Sequence, residues 1–157
     1  MVFMRGRSMK NITLGSTGIT VPQNAFGALP IQRISAQDAA GLLKKAYEGG
    51  MRFFDTARAY SDSEEKLGNA LSDVRKDIYI ATKTGSTTVE GFWKDLETSL
   101  NNLKTDYIDL YYLHRVDPNV PIEDIAYLMK DFIKQGKIKH WGLSEAGIET
   151  KPMQYVL

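Results

Sequence analysis

Arg52-Phe53-Phe54-Asp55-Thr56-Ala57-Arg58-Ala59-Tyr60-Ser61 opens the part of the chain that decides the fold, and Ile78-Tyr79-Ile80-Ala81-Thr82-Lys83 closes it. Each stretch begins with an aromatic or β-branched run, the composition of a short strand. Between them Ser61 and Glu64 have the spacing of a capping box, which predicts a helix running through Leu67 and Leu71. The unit reads strand, helix, strand. Two strands joined through a helix lie parallel, with a right-handed crossover.

The same rhythm extends in both directions. Upstream, Asn11-Ile12-Thr13-Leu14 and Ile19-Thr20-Val21 flank Gly15-Ser16-Thr17-Gly18 and predict a β-hairpin, and Asn24 to Leu29 is a short strand. Ser35 and Asp38 cap a helix with Leu42, Leu43, Ala46 and Tyr47 as its apolar face, stopped by Gly49-Gly50. Downstream, Thr87 and Glu90 form a third capping box before the stripe Phe92, Leu96, Leu100, Leu103, at the helical period. Tyr107 to Leu113 is a buried strand interrupted by Asp109. Pro121 starts a helix with Ile122, Ile125, Met129, Phe132 and Ile133 inward, Gly136 ends it, and Ile138 to Leu143 is the last strand. Strands therefore begin near 24, 52, 78, 107 and 138, at intervals of 28, 26, 29 and 31 residues. This predicts an α/β fold with a parallel sheet. An open doubly wound sheet, as in a flavodoxin-like signalling domain, and part of a β/α barrel both fit that spacing.

Composition narrows the function. The 157 residues carry 20 Lys and Arg against 19 Asp and Glu, a net charge of +1, so nothing marks the chain for nucleic acid or an acidic membrane surface. No run of apolar residues is long enough to span a bilayer, and the two arginines of Met1-Val2-Phe3-Met4-Arg5-Gly6-Arg7-Ser8 precede no signal-peptide core. With no cysteine, disulfides, thiolate catalysis and Cys-ligated zinc or iron–sulfur centres are excluded from these residues; the composition fits a reducing compartment, and a cytoplasmic location is expected. G-x-G-x-x-G, the P-loop pattern and H-E-x-x-H are absent, and with only His114 and His140 no histidine-rich metal site is expected.

The chemistry collects at the C-terminal ends of the strands, where α/β folds place their sites. Asp55 ends one strand with Tyr60 five residues on, Lys83 ends the next, His114 the next, and Ser144-Glu145 the last. Each residue alone has a plainer reading: Asp55 as a turn cap, Tyr60 as packing, Lys83 as a solvated charge, His114 as a structural histidine. Together they make a general acid. A phenol ordinarily titrates near ~10 and holds its proton at neutral pH, and a neighbouring ammonium favours the phenolate. A carboxylate can hold the ammonium, and an imidazole can hydrogen-bond the same substrate oxygen. Such a group can protonate the alkoxide that forms when a carbonyl accepts hydride. Glu64, Glu65, Lys66, Arg75 and Lys76 read as a solvated surface, and Trp93 and Trp141 as packing.

These residues stand in a pattern that resembles the aldo-keto reductases. Phe53 to Ser61 followed by Glu64-Glu65-Lys66-Leu67-Gly68 is similar to the family signature, and Leu14-Gly15-Ser16-Thr17-Gly18-Ile19-Thr20-Val21-Pro22 to its N-terminal hairpin. Ile80 to Lys83, Ser99-Leu100, Leu103 to Leu110, His114 and Gly136 to Ser144 follow in the family's order, so the likeness runs from Met9 to about Thr150. The resemblance implies a β/α barrel that reduces aldehydes and ketones with NADPH or NADH. It implies Asp55, Tyr60, Lys83 and His114 as catalytic residues, Tyr60 as proton donor, and Ser144 and the backbone at Gly27 as cofactor contacts. The position after Ser144, often Asn in the family, is Glu145 here.

The resemblance ends after the fifth strand, whereas the family continues through three more that hold most of the cofactor. The expectation is a partial (β/α)8 barrel of about five parallel strands with helices outside, preceded by a hairpin: residues 1–8 a leader, 9–150 a truncated barrel domain, and 151–157 an atypical tail interrupted by Pro152. The expected function is NAD(P)H-dependent reduction of a small carbonyl substrate, with no metal and with cofactor binding weakened by the missing strands. The alternative is a non-catalytic half-barrel that dimerises or docks a partner through exposed barrel edges.

Overall fold

A computed structural model describes residues 10–146 of the chain. The expected leader at 1–8 and tail at 151–157 lie outside the described residues. Strands β1 (Asn11–Thr13) and β2 (Thr20–Pro22) form an antiparallel hairpin, with Gly15 and Gly18 at positive φ in its loop. Five strands follow: β3 (Phe26–Gly27), β4 (Phe53–Asp55), β5 (Tyr79–Thr84), β6 (Ile108–Leu113) and β7 (Ile138–Leu143). Helices α1 (Ala36–Glu48), α2 (Ser63–Leu71), α3 (Val89–Asn102) and α4 (Ile122–Lys134) occupy the four crossovers, with short 3₁₀ turns at Leu29–Arg33 and Ser72–Asp77 that the periodicity does not reveal.

The order of strands decides between the two closures. The sheet runs β3-β4-β5-β6-β7, in chain order, with every neighbouring pair parallel. A doubly wound sheet reverses its order at a switch point. No reversal occurs among the described residues, so the sheet is an arc of a β/α barrel.

Alternation along the strands builds two cores. On the outer face Phe54, Ile80, Tyr111 and Leu113 meet Leu43, Leu67, Leu96, Met129 and Phe132 of the helices. On the inner face Phe53, Ala81 and Leu110 meet Ile19 and Val21 of the hairpin. Phe53 is the first residue of β4, so the hairpin covers the N-terminal ends of the strands and leaves the opposite rim to the functional groups.

Several local expectations shift. The Ser35 hydroxyl accepts from the Asp38 N–H at 3.0 Å as foreseen, but α2 starts at Ser63, not after Ser61. Ser61 has φ +47°, a left-handed conformation that an N-cap residue does not adopt. The α3 cap is Thr88, whose hydroxyl accepts from Gly91 N–H at 3.1 Å. Leu42 is 46% exposed, and the apolar face of α1 consists of buried Ala39 and Leu43 with Ala46 and Tyr47 packed partly buried against the core.

The charged residues assigned to a solvated surface divide. Glu65 and Lys76 are exposed, whereas Glu64, Lys66 and Arg75 are buried. Lys66 Nζ donates to the carbonyls of Ile31 and Ile34, fixing the 3₁₀ turn after β3 against α2. Arg75 donates to Asp109 at 2.7 Å and to the carbonyls of Ile78 and Tyr107; Asp109 also accepts from Ile80 N–H and from Lys139. Asp109 thus interrupts an apolar strand as the acceptor that joins β5, β6 and β7 at their N-terminal ends.

Two glycines give opposite expectations. A Cβ on Gly68 would stand 2.2 Å from the Asn102 carbonyl oxygen, where α2 crosses the end of α3, and backbone cannot yield. Gly68→Ala is expected to destabilise by about 1–3 kcal/mol. Gly41, inside α1 with open space at its Cα, is expected to gain about 0.5–1 kcal/mol on substitution by Ala. Urea denaturation of both variants checks the signs.

Candidate active site

Four side chains converge at the C-terminal rim. Asp55 is the last residue of β4; Lys83 lies within β5, one residue before its end; His114 follows β6 directly; Tyr60 lies on the loop from β4 to α2. Register places Asp55 opposite Ala81 and Lys83 opposite Tyr112. The Lys83 ammonium donates to Asp55 Oδ1 at 2.7 Å and to the Thr56 carbonyl at 2.8 Å. It lies 5.3 Å from the centre of the Tyr60 ring. The Tyr60 and His114 rings meet edge to face with centroids 5.8 Å apart. Tyr60 and His114 are both part-exposed at the rim.

The loop that carries Tyr60 is fastened to β5 by its backbone. Thr56 N–H donates to Ala81 O at 2.8 Å and Arg58 N–H to Lys83 O at 3.0 Å. Two successive turns, Tyr60 N–H to Ala57 O and Ser63 N–H to Tyr60 O, then lead into α2. Ser63 Oγ donates to Ala28 O and shares a hydrogen bond with Thr56 Oγ1, which ties the loop to the end of β3.

Burial sets the electrostatics. Lys83 is 7% exposed, and the Asp55 side chain is 34% exposed. Burial pushes the His114 imidazole below its ordinary value, and the Lys83 ammonium pushes the same way, against weaker opposition from Glu145 and Asp55. Tyr112, on β6 beside Lys83, has its phenol raised by burial and then by the Asp55 charge. This residue escaped the sequence reading; its only signal was the two-residue spacing from His114 along one strand.

Gly27 and Ser144 flank the same rim. Gly27 pairs with Asp55 in register, is exposed, and would place a Cβ in open space. Ser144 donates its N–H to Leu113 O, and its hydroxyl has no hydrogen-bond partner among the described residues. Glu145, at φ +49°, is ion-paired with exposed Arg115, which holds its carboxyl below the usual range. Gly27 thus leaves open space at the β3 side of the rim, and Ser144 is part-exposed at the β7 side. Two open surface grooves lie elsewhere, both touching Asp106 and Tyr107 before β6, and contain none of the four rim side chains. Among the described residues no cluster of His, Asp and Glu could hold a metal ion, and no helix is long and apolar enough to cross a membrane.

Residues 12–154 match the aldo/keto reductase family. An aldo-keto reductase of Strobilurus tenacellus is 39% identical over 148 residues, which cover 83% of this chain and 44% of that protein. Among solved structures, an aldo-keto reductase from Bacillus halodurans in its holo form superposes with a TM-score of 0.83 at 28% identity, over 88% of this chain and 51% of that one. The aldo-keto reductase from Klebsiella pneumoniae in complex with NADPH gives 0.83 at 26% identity, over 90% and 51%. The chain belongs to the aldo/keto reductase family, and it spans about half the length of the relatives it matches.

The lowered His114 value has a stability consequence. The unfolded chain takes up the imidazole proton at a higher pH than the fold does. Stability from this group is therefore fully present above about 6.5 and is lost as pH falls through the lower folded value. NMR titration should give a His114 midpoint below that of a histidine peptide, and Lys83→Met should move the midpoint upward.

Proposed function

We propose that the protein is an NAD(P)H-dependent reductase of aldehydes or ketones, with Tyr60 as general acid. The observation that carries this reading is the chain of contacts from Asp55 through Lys83 to Tyr60 and His114 on one rim. The complex of the Klebsiella relative with NADPH supports the choice of cofactor. Ser144 and the backbone at Gly27 are the residues of this chain that would contact it, and NADPH or NADH, when bound, supplies the hydride.

The protein's own part is proton transfer. As the carbonyl carbon gains a C–H bond, the π pair moves onto oxygen, and that oxygen takes the proton of the Tyr60 hydroxyl. The positive charge of Lys83 stabilises the phenolate left behind, and Asp55 with the Thr56 carbonyl keeps the ammonium in place. His114, its imidazole biased toward the neutral form, is suited to donate an N–H to the same oxygen. Solvent then returns the proton to Tyr60.

A second reading rests on the sheet edges. Within the described residues β3 and β7 each pair on one side only, and Trp141, Gly142 and Leu143 are part-exposed. A half-barrel that assembles through those edges with a second copy, without catalysis, would use the fold and not the rim.

Following NADPH and NADH consumption with several aldehydes tests the first reading; a folded chain that turns over neither cofactor overturns it. Tyr60→Phe is expected to lower turnover by roughly 10²-fold or more if the phenol is the acid. Light scattering should show the same molecular mass for both proteins; a monodisperse monomer removes the assembly reading.

A further inference from the structure

Glu64 is a carboxylate with 1% exposure in a position that does not touch the reacting groups. Its oxygens are divided between two sets of partners. Oε1 accepts from Thr82 Oγ1 at 2.7 Å and from Ser99 Oγ at 2.6 Å; Oε2 accepts from Asn102 Nδ2 at 3.2 Å and from Arg58 at 3.4 Å. Thr82 precedes Lys83 on β5, Ser99 and Asn102 belong to α3, and Arg58 lies in the loop that carries Tyr60. Burying a carboxylate costs several kcal/mol unless its oxygens are paired. Here the pairing draws the Tyr60 loop onto the strand that carries Lys83.

We propose that Glu64 is a positioning residue for Tyr60. Its carboxylate holds the Arg58 side chain, Arg58 keeps its N–H on the Lys83 carbonyl, and that link sets the distance from the phenol to the ammonium. Two of the four partners, Thr82 and Arg58, are the ones that matter for this role. Ser99 and Asn102 anchor the carboxylate itself to α3. The proposal rests on the reductase reading for its functional meaning, but its geometry can be measured without turnover.

Glu64→Gln keeps the shape and removes the charge, so Arg58 loses its anionic partner whichever way the amide turns. In the whole chain, amide hydrogen exchange should speed up at Arg58 and Thr56 by about 10-fold or more, while the amides of β6 keep their protection. The contact between the Tyr60 and His114 rings, read by nuclear Overhauser effects, should weaken. Where the wild-type chain reduces a carbonyl, kcat should fall by roughly 10²-fold with KM unchanged. Unaltered protection at Arg58, or equal acceleration in β6, would overturn the proposal, the latter making Glu64 a core stabiliser only. Should Glu64→Gln fail to fold, Arg58→Met decides, because the Arg58 side chain is 32% exposed and its loss leaves the core filled. The same local loss is expected there, and unchanged exchange at the position-58 amide together with an unchanged ring contact would overturn it. A wild-type chain without reductase activity would sink the functional reading alone, since exchange and ring contact need no substrate.

Discussion

Lys83 carries its charge onto the inner face of a sheet, at a place where water scarcely reaches it. An ammonium left unpaired there would cost several kcal/mol, so the fold must bring it acceptors. Asp55 and the Thr56 carbonyl do so, and both come from the neighbouring strand and the loop that leaves it. The requirement therefore acts on more than one residue. It fixes where β4 must end relative to β5, and it fixes the first residue of the loop that continues to Tyr60. The Lys83 carbonyl then receives Arg58 N–H, so the same residue binds the loop with its side chain and its backbone.

A second set of buried charges performs the analogous task at the opposite end of the sheet. Asp109 accepts from Arg75, Lys139 and the Ile80 N–H, and the ring of Tyr107 has the Arg75 guanidinium 4.1 Å and the Lys139 ammonium 3.9 Å from its centre. Breaking such a pair by removing one partner is costly, whereas forming it yields little net stability. These groups serve register more than stability. They align β5, β6 and β7 at one end, and so determine which side chains arrive together at the other.

Much of this was legible in the residues. The alternation of strands and helices, the hairpin, the helical stripe Phe92, Leu96, Leu100 and Leu103 and the placing of Asp55, Tyr60, Lys83 and His114 at strand ends follow from period and turn chemistry, which are local. The burial of Glu64, Lys66 and Arg75 was not legible. A charged residue on a helical pattern looks solvated when its partners lie thirty or so positions away, as Ser99 does from Glu64 and Asp109 from Arg75. The start of α2 at Ser63 departs from the capping-box spacing for a related reason. The Ser61 spacing suits a cap, but the turn needed to present Tyr60 holds Ser61 in the left-handed region.

By itself the sequence determined that strands and helices alternate in a parallel order and that four titratable groups of different kinds fall at, or in the loop just after, the C-terminal ends of three successive strands. Whether those strands continue in one direction around an arc or reverse about a switch point is a matter of which edges pair, and only the tertiary structure decided it. The same holds for contact among Asp55, Lys83, Tyr60 and His114. Periodicity assigns a residue to a strand end, but hydrogen-bonded register between strands sets which ends adjoin, and register is a property of pairs of segments far apart in the chain.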